Sequence, residues 1–533
     1  MDEKTYNILL EKINLLGIKT GIILSHCTNK KKSEEEDKMQ LNQTDAKYLP
    51  GQNACDILKK VFGYNSFRPL QKQIITNVLN HKDTLAVMPT GGGKSLCYQI
   101  PALMMKGLTV VISPLISLME DQVQNLNSFG IEAAVLNSSI SYSQYLRTIE
   151  LLKNGRIKIL YISPEGFNTV KMQTLLTDKS INVECLTIDE AHCVSSWGHD
   201  FRPDYLEIGL LKKNFPHAVC LALTATATSQ VQKDIVNLLK LHTPQILTAS
   251  FDRPNIYLEV TEKTNGLEQL KLFLNKHKDE SGIIYCFSRN QVEKITLYLT
   301  SLGLPAVKYH AGLDDKERSE NQKKFIYDQV QICVATLAFG MGINKPDIRF
   351  IVHYDMPKSL EQYYQEIGRA GRDGLSATAL LLYSAGNAKK IKFFLEKENA
   401  PQSKYDLLNS IIEYSQTNGC RRKKLLSYFG EAYINTKEKN YRCCDSCSLG
   451  YTDIQLQGDP SINIAEKLRA WRKEFSIKEK IPPYVIFGDK TLMDIAEKKP
   501  VSIEKLLACY GIGQVKAKKY GEDVIKVVRE FYA

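Results

Sequence analysis

Thr84-Leu-Ala-Val-Met-Pro-Thr-Gly-Gly-Gly-Lys-Ser95 decides how this chain is read. TLAVM (84–88) is a short apolar run of the kind that forms a buried strand. The residues after Ser95 read as a helix. Only a glycine-rich turn lets clustered backbone N–H groups approach phosphate oxygens, and a helix N-terminus favours their charge. Met88, Pro89, Thr90, Gly91, Gly92, Gly93, Lys94 and Ser95 therefore form a candidate nucleotide cradle. Lys94 supplies positive charge for the β- and γ-phosphates, and Ser95 a hydroxyl for Mg²⁺. The usual pattern begins with Gly where this chain has Met88.

Working outward, further short β-rich runs alternate with helical stretches. They are TVVIS (109–113), KILYIS (158–163), CLTID (185–189) and VCLALT (219–224). A second series follows: GIIYCF (282–287), AVKYH (306–310), ICVAT (332–336), RFIVHY (349–354) and ALLLYS (379–384). Alternation of this kind predicts parallel sheets covered by helices on both faces. The expectation is two α/β lobes joined near 245–265, then helices over 385–440, a cysteine cluster, a short polar linker, and a helical, basic tail from 461. At roughly 100–200 residues per domain, 533 residues allow about three to five domains.

Composition excludes several classes. Hydrophobic residues make up 43% and charged residues 24%, ordinary for a globular protein and not for a collagen, a mucin or a disordered chain. The net charge of +11 is compatible with a polyanionic partner. No run approaches the 18 or so apolar residues of a membrane helix, and MDEKTYNILL is not a signal peptide, so an intracellular protein is expected. Thirteen cysteines then argue for thiols, metal ligands or core fillers over disulfides. Residues 1–50 read as a possible short helix (Tyr6–Leu16) and a polar linker. Lys30, Lys31 and Lys32 are either part of a nuclear import signal or solvated charge.

Asp189-Glu-Ala-His192 ends the apolar strand CLTI. Asp189 can hold Mg²⁺, and Glu190 can polarise an attacking water as general base. Paired with the glycine turn, this is the second half of an NTPase site.

With these motifs in order, the chain resembles the superfamily 2 helicases, and specifically the RecQ family of DNA helicases. The resemblance runs from Phe62 to Cys447 and continues through the C-terminal 70 or so residues. It implies two RecA-like parallel-sheet lobes, a helical zinc-binding subdomain and a C-terminal helical HRDC bundle. The expected boundaries are 1–53 (extension), 54–250 (first lobe), 251–385 (second lobe), 386–448 (zinc-binding), 449–460 (linker) and 461–533 (HRDC).

FGYNSFRPLQ (62–71) resembles an adenine-recognition segment, with Tyr64 stacking on the base and Arg68 and Gln71 hydrogen-bonding to it. SPLISLMEDQV (113–123) and YISPE (161–165) resemble motifs that touch the DNA backbone. CVSSWGHDFRPDY (193–205) resembles the family's aromatic-rich loop. Trp197 and Phe201 would stack on single-stranded bases and Arg202 would hold phosphate. ALTATA (222–227) resembles a motif coupling hydrolysis to lobe movement through Thr224 and Thr226. In the second lobe, Ser288, Arg289 and Thr336 are expected DNA-backbone contacts, and Asp347 is expected to help close the ATP cleft. QEIGRAGRDG (365–374) places Gln365 beside Arg369 and Arg372, expected to act as arginine fingers on the γ-phosphate.

Cys420 and the CCDSC segment, Cys443, Cys444 and Cys447, supply four thiolates for a tetrahedral Zn²⁺ site resembling the Werner-type branch, unless Cys443 or Cys444 is a spectator. The other nine cysteines are expected to be buried. In the tail, GIG (511–513) with Lys516, Lys518 and Lys519 suits either a phosphate contact or a solvated face. Residues 448–460 number 13, too few for the winged-helix domain that many relatives carry there.

The resemblance implies an ATP- and Mg²⁺-dependent 3′–5′ DNA helicase in recombination, repair and replication. The alternative is a DNA-stimulated ATPase or translocase that unwinds weakly for want of the winged helix. Expected partners are single-stranded and forked DNA, with single-strand-binding or repair proteins. The protein is expected to be monomeric and away from membranes, in the nucleus of a eukaryote and otherwise in the cytoplasm.

Overall fold

Four- to seven-residue apolar runs make the two sheets of this computed structural model, which describes residues 53–137, 140–197, 200–337, 339, 345–433, 443–448 and 461–530. The readings of residues 1–50, including Lys30–Lys32, and of the 449–460 linker fall outside these residues. In the first lobe the strands are β1 (Thr84–Val87), β2 (Leu108–Ile112), β3 (Ala133–Leu136), β4 (Ile159–Ile162), β5 (Val183–Ile188), β6 (Val219–Thr224) and β7 (Gln245–Thr248). They form one sheet in the order β3-β4-β2-β5-β6-β1-β7, parallel throughout. The second lobe holds β8 (Ile256–Glu262), β9 (Ser281–Tyr285), β10 (Ala306–Tyr309), β11 (Ile332–Ala335), β12 (Ile348–His353) and β13 (Ala377–Tyr383). Their order is β10-β11-β9-β12-β13-β8, again parallel.

Every residue of β1, β2, β4 and β6 is buried, as a strand covered by helices on both faces must be. All ten strands expected from apolar runs are present within a residue or two. The sequence reading missed β3, β7 and β8. All three lie at sheet edges, and β7 (Gln245–Thr248) is mostly exposed.

Parallel pairing puts the carboxyl ends of all strands on one side of each sheet, the usual place for ligands in such folds. In the first lobe β5, β6 and β1 are neighbours, so the glycine turn after β1, the Asp-Glu after β5 and the threonines after β6 converge. The register holds them level. Val87 pairs with Thr224 and Ile188 with Ala222. Met88 N donates to Thr224 O (2.9 Å), and Asp189 N to Ile112 O (2.9 Å).

Helices Ala385–Lys397, Gln402–Gln416 and Arg421–Tyr428 follow the second sheet. The cysteine segment returns to cover its edge. Leu258 N donates to Cys443 O (3.3 Å), and Val260 N to the Asp445 carboxylate (3.0 Å). Edge strand β8 thereby gains partners for N–H groups that an open edge would leave bare.

The C-terminal bundle runs from helix Ser461–Glu479 to helix Gln514–Arg529 around its own apolar cluster, including Leu468, Phe487, Leu492 and Val528. It packs on both lobes. Tyr327 of the second lobe donates to Lys480 O (2.9 Å). On the first lobe the turn Gly511–Gly513 meets Gly63, backbone against backbone. GIG is thus buried against protein, so its amides do not face phosphate, and Lys518 and Lys519 stand exposed.

Gly63 has φ +74°, and a Cβ there would lie 2.7 Å from Gly513 N. Both the steric clash and the left-handed backbone make Gly63→Ala unfavourable. The substitution should release the bundle from the first lobe, raising amide exchange at Gly511–Gln514 about tenfold or more. Unchanged exchange there would show that the contact does not hold the bundle.

Candidate active site at the lobe boundary

The glycine turn takes its shape from two left-handed residues, Gly91 (φ +80°) and Gly93 (φ +81°). A Cβ on Gly93 would sit 2.4 Å from Gln71 Nε2. Met88 keeps an ordinary φ and buries its side chain in the core, so the position does not require glycine. Lys94 Nζ donates to Met88 O (3.2 Å), and Ser95 precedes the helix Leu96–Met104.

Gln71 and Arg68 grip this turn. Gln71 Nε2 donates to Gly93 O (2.9 Å), its Oε1 accepts from Arg68 N (2.8 Å), and the Arg68 guanidinium donates to Gly91 O. The Tyr64 ring lies 5.9 Å from that of Tyr510, on the C-terminal bundle. Of the three residues expected at the adenine ring, Arg68 and Gln71 are therefore held on the phosphate loop, and Tyr64, within electrostatic reach of Arg68, has Tyr510 against it.

Across the boundary stands the turn after helix Leu360–Ile367. Ser359 caps that helix by accepting from Gln362 N (3.1 Å). Gln365 Nε2 reaches back to Thr226 Oγ1 in the first lobe (3.3 Å). The Arg372 stem packs on Gly91, within 3.3 Å of where a Cβ would be. Arg369 is buried beside it. Burial, then repulsion from Arg369 and Arg253, pushes the Arg372 guanidinium down to about 9. Burial also lowers Lys94, against the pull of Glu190 and Asp189. Crowded, desolvated cations around a ring of backbone amides fit a polyphosphate.

The carboxylates show the opposite strain. Burial and the adjacent Glu190 push Asp189 up to about 7, although Lys94 opposes the shift. Ser113 Oγ donates to Asp189 (3.4 Å), so this hydroxyl, expected at DNA, serves the carboxylate. A divalent cation held by Asp189 and Ser95 would relieve the repulsion, and the residues fit Mg²⁺.

His192 links this pair to the coupling motif. Its Nδ1 lies 2.9 Å from Thr224 Oγ1 and 3.3 Å from Glu190 Oε2. Thr224 Oγ1 in turn donates to Thr226 O (2.9 Å). A hydrogen-bonded path therefore runs His192–Thr224–Thr226–Gln365, from one lobe to the other, with the Glu190 carboxylate beside its first member.

The aromatic loop roots on the same segment. Arg202 N donates to Cys193 O (2.9 Å), and Tyr205 OH to Asp189 O (2.9 Å). Trp197 is 54% and Phe201 41% exposed, large apolar rings left in water. Arg202 pairs with Asp200 (3.2 Å) and donates to Pro114 O (3.3 Å), so a phosphate would have to compete for it. In the second lobe Ser288 caps helix Arg289–Ser301, Arg289 is exposed, and Thr336 is half-buried. They stand at the carboxyl ends of β9 and β11, which are neighbours. Asp347 follows Pro346, whose carbonyl accepts from Asp373 N (3.4 Å) in the turn that carries Arg372. It pairs with Lys345 (3.1 Å), which also binds Asp328, and it lies within electrostatic reach of Arg472 in the C-terminal bundle.

Sγ atoms of Cys420, Cys443, Cys444 and Cys447 all lie within 4.8 Å of one another, with Cys420–Cys443 at 3.5 Å and Cys443–Cys447 at 3.7 Å. Tetrahedral Zn–S bonds of about 2.3 Å place sulfurs at about this separation, so the cluster fits Zn²⁺ with neither Cys443 nor Cys444 a spectator. Of the remaining cysteines, Cys97, Cys185, Cys193, Cys220, Cys286, Cys333 and Cys509 are buried. Cys55 is exposed, contrary to expectation, and Cys27 falls outside the described residues.

Sequence reasoning missed Arg253 and Arg422. Arg253 Nη1 donates to Thr90 O (2.6 Å), and its Nη2 to Ala370 O (2.9 Å) and Gly371 O (3.0 Å). Arg422 holds Asp252 (2.5 Å) and Arg253 O (2.8 Å). A lone arginine between turn residues carries no pattern that would single it out.

Burial, with Lys94 and Arg202 nearby, holds His192 down at about 3, so it is neutral when folded. The folded value lies below the unfolded one of about 6.5, so protons favour the unfolded chain as pH falls. This contribution is intact above pH 6.5. Below it, first-lobe stability should fall by about 1.4 kcal/mol per pH unit. His192→Gln should flatten that component in urea unfolding between pH 6.5 and 5, and an unchanged slope would assign the loss to other groups.

Family profiles match in the order that the geometry suggests: DEAD/DEAH box helicase over residues 68–235, Helicase conserved C-terminal domain over 262–374, RecQ zinc-binding over 385–448 and HRDC domain over 461–528. Among curated relatives, the ATP-dependent DNA helicase RecQ of Pasteurella multocida is 45% identical over 89% of this chain and 73% of its own length. That of Haemophilus influenzae is 37% identical over 92% of this chain and 97% of its own. The latter alignment spans 609 positions, more than the 533 residues here, so that relative has segments this chain lacks. A solved structure of the DUF1998 helicase MrfA bound to DNA is 16% identical and superposes with a TM-score of 0.51 over 71% of this chain and 55% of that one, a likeness of fold. Among the described residues no helix is long and apolar enough to cross a membrane. With two parallel-sheet lobes meeting at a glycine turn and two arginines, a four-cysteine cluster, and relatives aligned over nearly its whole length, the chain belongs to the RecQ family of helicases.

Proposed function

We propose that this protein is an ATP- and Mg²⁺-dependent DNA helicase that translocates 3′ to 5′ on single-stranded DNA and serves recombination, repair and replication. The observation that carries the reading is the lobe boundary itself. Arg372 of one lobe packs on Gly91 of the other, and Gln365 bonds Thr226.

ATP takes its place on the glycine turn, with Lys94 at the β- and γ-phosphates. Ser95 and Asp189 would hold Mg²⁺, which when bound would supply positive charge to the phosphate oxygens. Glu190 orients and deprotonates the attacking water. Arg372, with Arg369, stabilises the charge that spreads over the transferring phosphoryl group. Hydrolysis removes the anion that draws these arginines to the turn. The lobes then part, and a strand held at Trp197 and Phe201 on one lobe and at Ser288, Arg289 and Thr336 on the other shifts between them. Zn²⁺ in the four-cysteine cluster is structural.

Direction follows the family resemblance. Single-stranded and forked DNA are the substrates, and single-strand-binding or repair proteins the natural partners. The protein works as a monomer wherever the chromosome lies: the nucleus in a eukaryote, otherwise the cytoplasm. The comparisons do not favour the alternative, a translocase that hardly unwinds.

Strand displacement on forked, 3′-tailed and 5′-tailed duplexes tests this directly. Activity should require ATP, favour the fork and the 3′ tail, and vanish in Lys94→Ala, which should still bind DNA. ATP hydrolysis without any displacement would instead establish the weak-unwinding alternative.

Losing a base stacked on an aromatic costs roughly 1–3 kcal/mol. Trp197→Ala should therefore weaken single-strand binding about 5- to 150-fold and lower DNA-stimulated turnover far more than basal turnover. Equal losses in both would rule the loop out as the DNA sensor.

A further inference from the structure

Ser250–Asn255 joins the two sheets, between β7 and β8, and is held tightly for a linker. Glu431 accepts from Ser250 Oγ (2.5 Å) and Phe251 N (2.7 Å). The Phe251 ring stacks on Phe429 at 4.5 Å, and Tyr364 OH donates to Phe251 O (2.9 Å). Arg422, two residues from Cys420 and buried, donates to Asp252, Arg253 O and Ile256 O (2.6 Å). The helical zinc-binding subdomain thus fixes the backbone of Arg253.

From that fixed backbone the guanidinium spans the lobe boundary. On the second-lobe side it donates to Gly368 O (3.2 Å), Ala370 O and Gly371 O, which surround Arg369 and immediately precede Arg372. Asn255 adds a second brace to Gly371 O (2.9 Å). On the first-lobe side Arg253 has Thr90 O, in the glycine turn. A planar fork with five donors can serve four carbonyls at once; a lysine, with three donors on a flexible stem, cannot hold that geometry. A clamp with no other task would hardly gather a third guanidinium beside Arg369 and Arg372, since like charges repel.

We propose that Arg253 is a positioning residue for ATP hydrolysis: anchored by Arg422, it fixes the Gly368–Arg372 turn against the phosphate loop so that the two arginines meet the transferring phosphate. The three second-lobe bonds set the turn, and the bond to Thr90 O is the one that lobe closure makes. The zinc-binding subdomain is therefore part of the scaffold of the nucleotide site. This rests on the ATPase reading above.

Arg253→Lys and Arg253→Gln, each in the full chain, test it. A group that acts only on transition-state geometry lowers kcat and leaves substrate binding alone. DNA-stimulated kcat should fall about 10- to 100-fold, with KM for ATP and single-strand affinity within about twofold of wild type. A second readout needs no turnover. Affinity for ADP with aluminium fluoride, which mimics the transferring phosphoryl group, should fall by a similar factor, while affinity for ADP alone holds. That ratio does not depend on the fraction of molecules folded. Arg422→Lys should shift both readouts in the same direction. Combined with Arg253→Lys it should add little, since both act through one contact.

Unchanged kcat in both Arg253 variants overturns the proposal. So does an unchanged aluminium fluoride ratio, or a double variant whose losses multiply. A wild-type protein without DNA-stimulated hydrolysis would instead overturn the ATPase reading, a result distinct from all of these.

Discussion

Besides the exposed Arg68, four cations stand around one glycine turn, and keeping them together is the problem that the rest of the fold solves. Lys94 comes from the turn, Arg253 from the segment between the lobes, and Arg369 and Arg372 from the second lobe. Burial deprives them of water and their mutual repulsion adds to the cost, which is why Arg372 sits near 9. Opposite them Asp189 and Glu190 repel each other, and Asp189 sits near 7. Each group lacks what a metal–triphosphate would bring: anionic oxygens for the cations, a dication for the carboxylates. Such a site is held by rigid surroundings and relieved by its ligand, so the lobes gain most from closing when the nucleotide is between them.

A polar path from His192, beside Glu190, to Gln365 ties the carboxylate end of the first lobe to the second. Glu190, His192, Thr224, Thr226 and Gln365 are linked through side-chain and backbone atoms over contacts of 2.9–3.3 Å. The root of the aromatic loop uses the same short segment. Arg202 N bonds Cys193 O, and Tyr205 bonds Asp189 O. A strand held at Trp197, as proposed, would therefore pull on backbone that adjoins Asp189 and Glu190. His192 must stay neutral for this to work, because a charged imidazole beside Lys94 and Arg202 would be repelled from its place.

Where a residue's role rests on a local pattern, the sequence showed it. Most strands were legible because doubly covered strands must be continuously apolar, and the four cysteines because thiolates have few other uses so close together. β7 was not, because an edge strand relaxes that demand; Gln245–Thr248 is mostly exposed. GIG was open to misreading for a physical reason. The absence of Cβ atoms that lets a phosphate approach a backbone equally lets another backbone approach, and here Gly63 does so. Arg253 and Arg422 could not be found at all, since their meaning lies in carbonyls more than a hundred residues away.

The placement of the C-terminal bundle extends the same logic. It meets the first lobe through Gly63 and Tyr64, and the second through Tyr327 and the charged group of Asp328, Lys345 and Asp347 near Arg472. A body that touches both lobes makes its full set of contacts only when they are at one particular separation. Linkage then runs both ways. Whatever draws the lobes to that separation strengthens docking, and docking favours that separation by the same free energy. Tyr64 makes the coupling local, because the ring expected to receive adenine is the ring that Tyr510 touches. Were adenine to stack on Tyr64, it could not settle on the side that Tyr510 occupies without the bundle yielding or the ring turning.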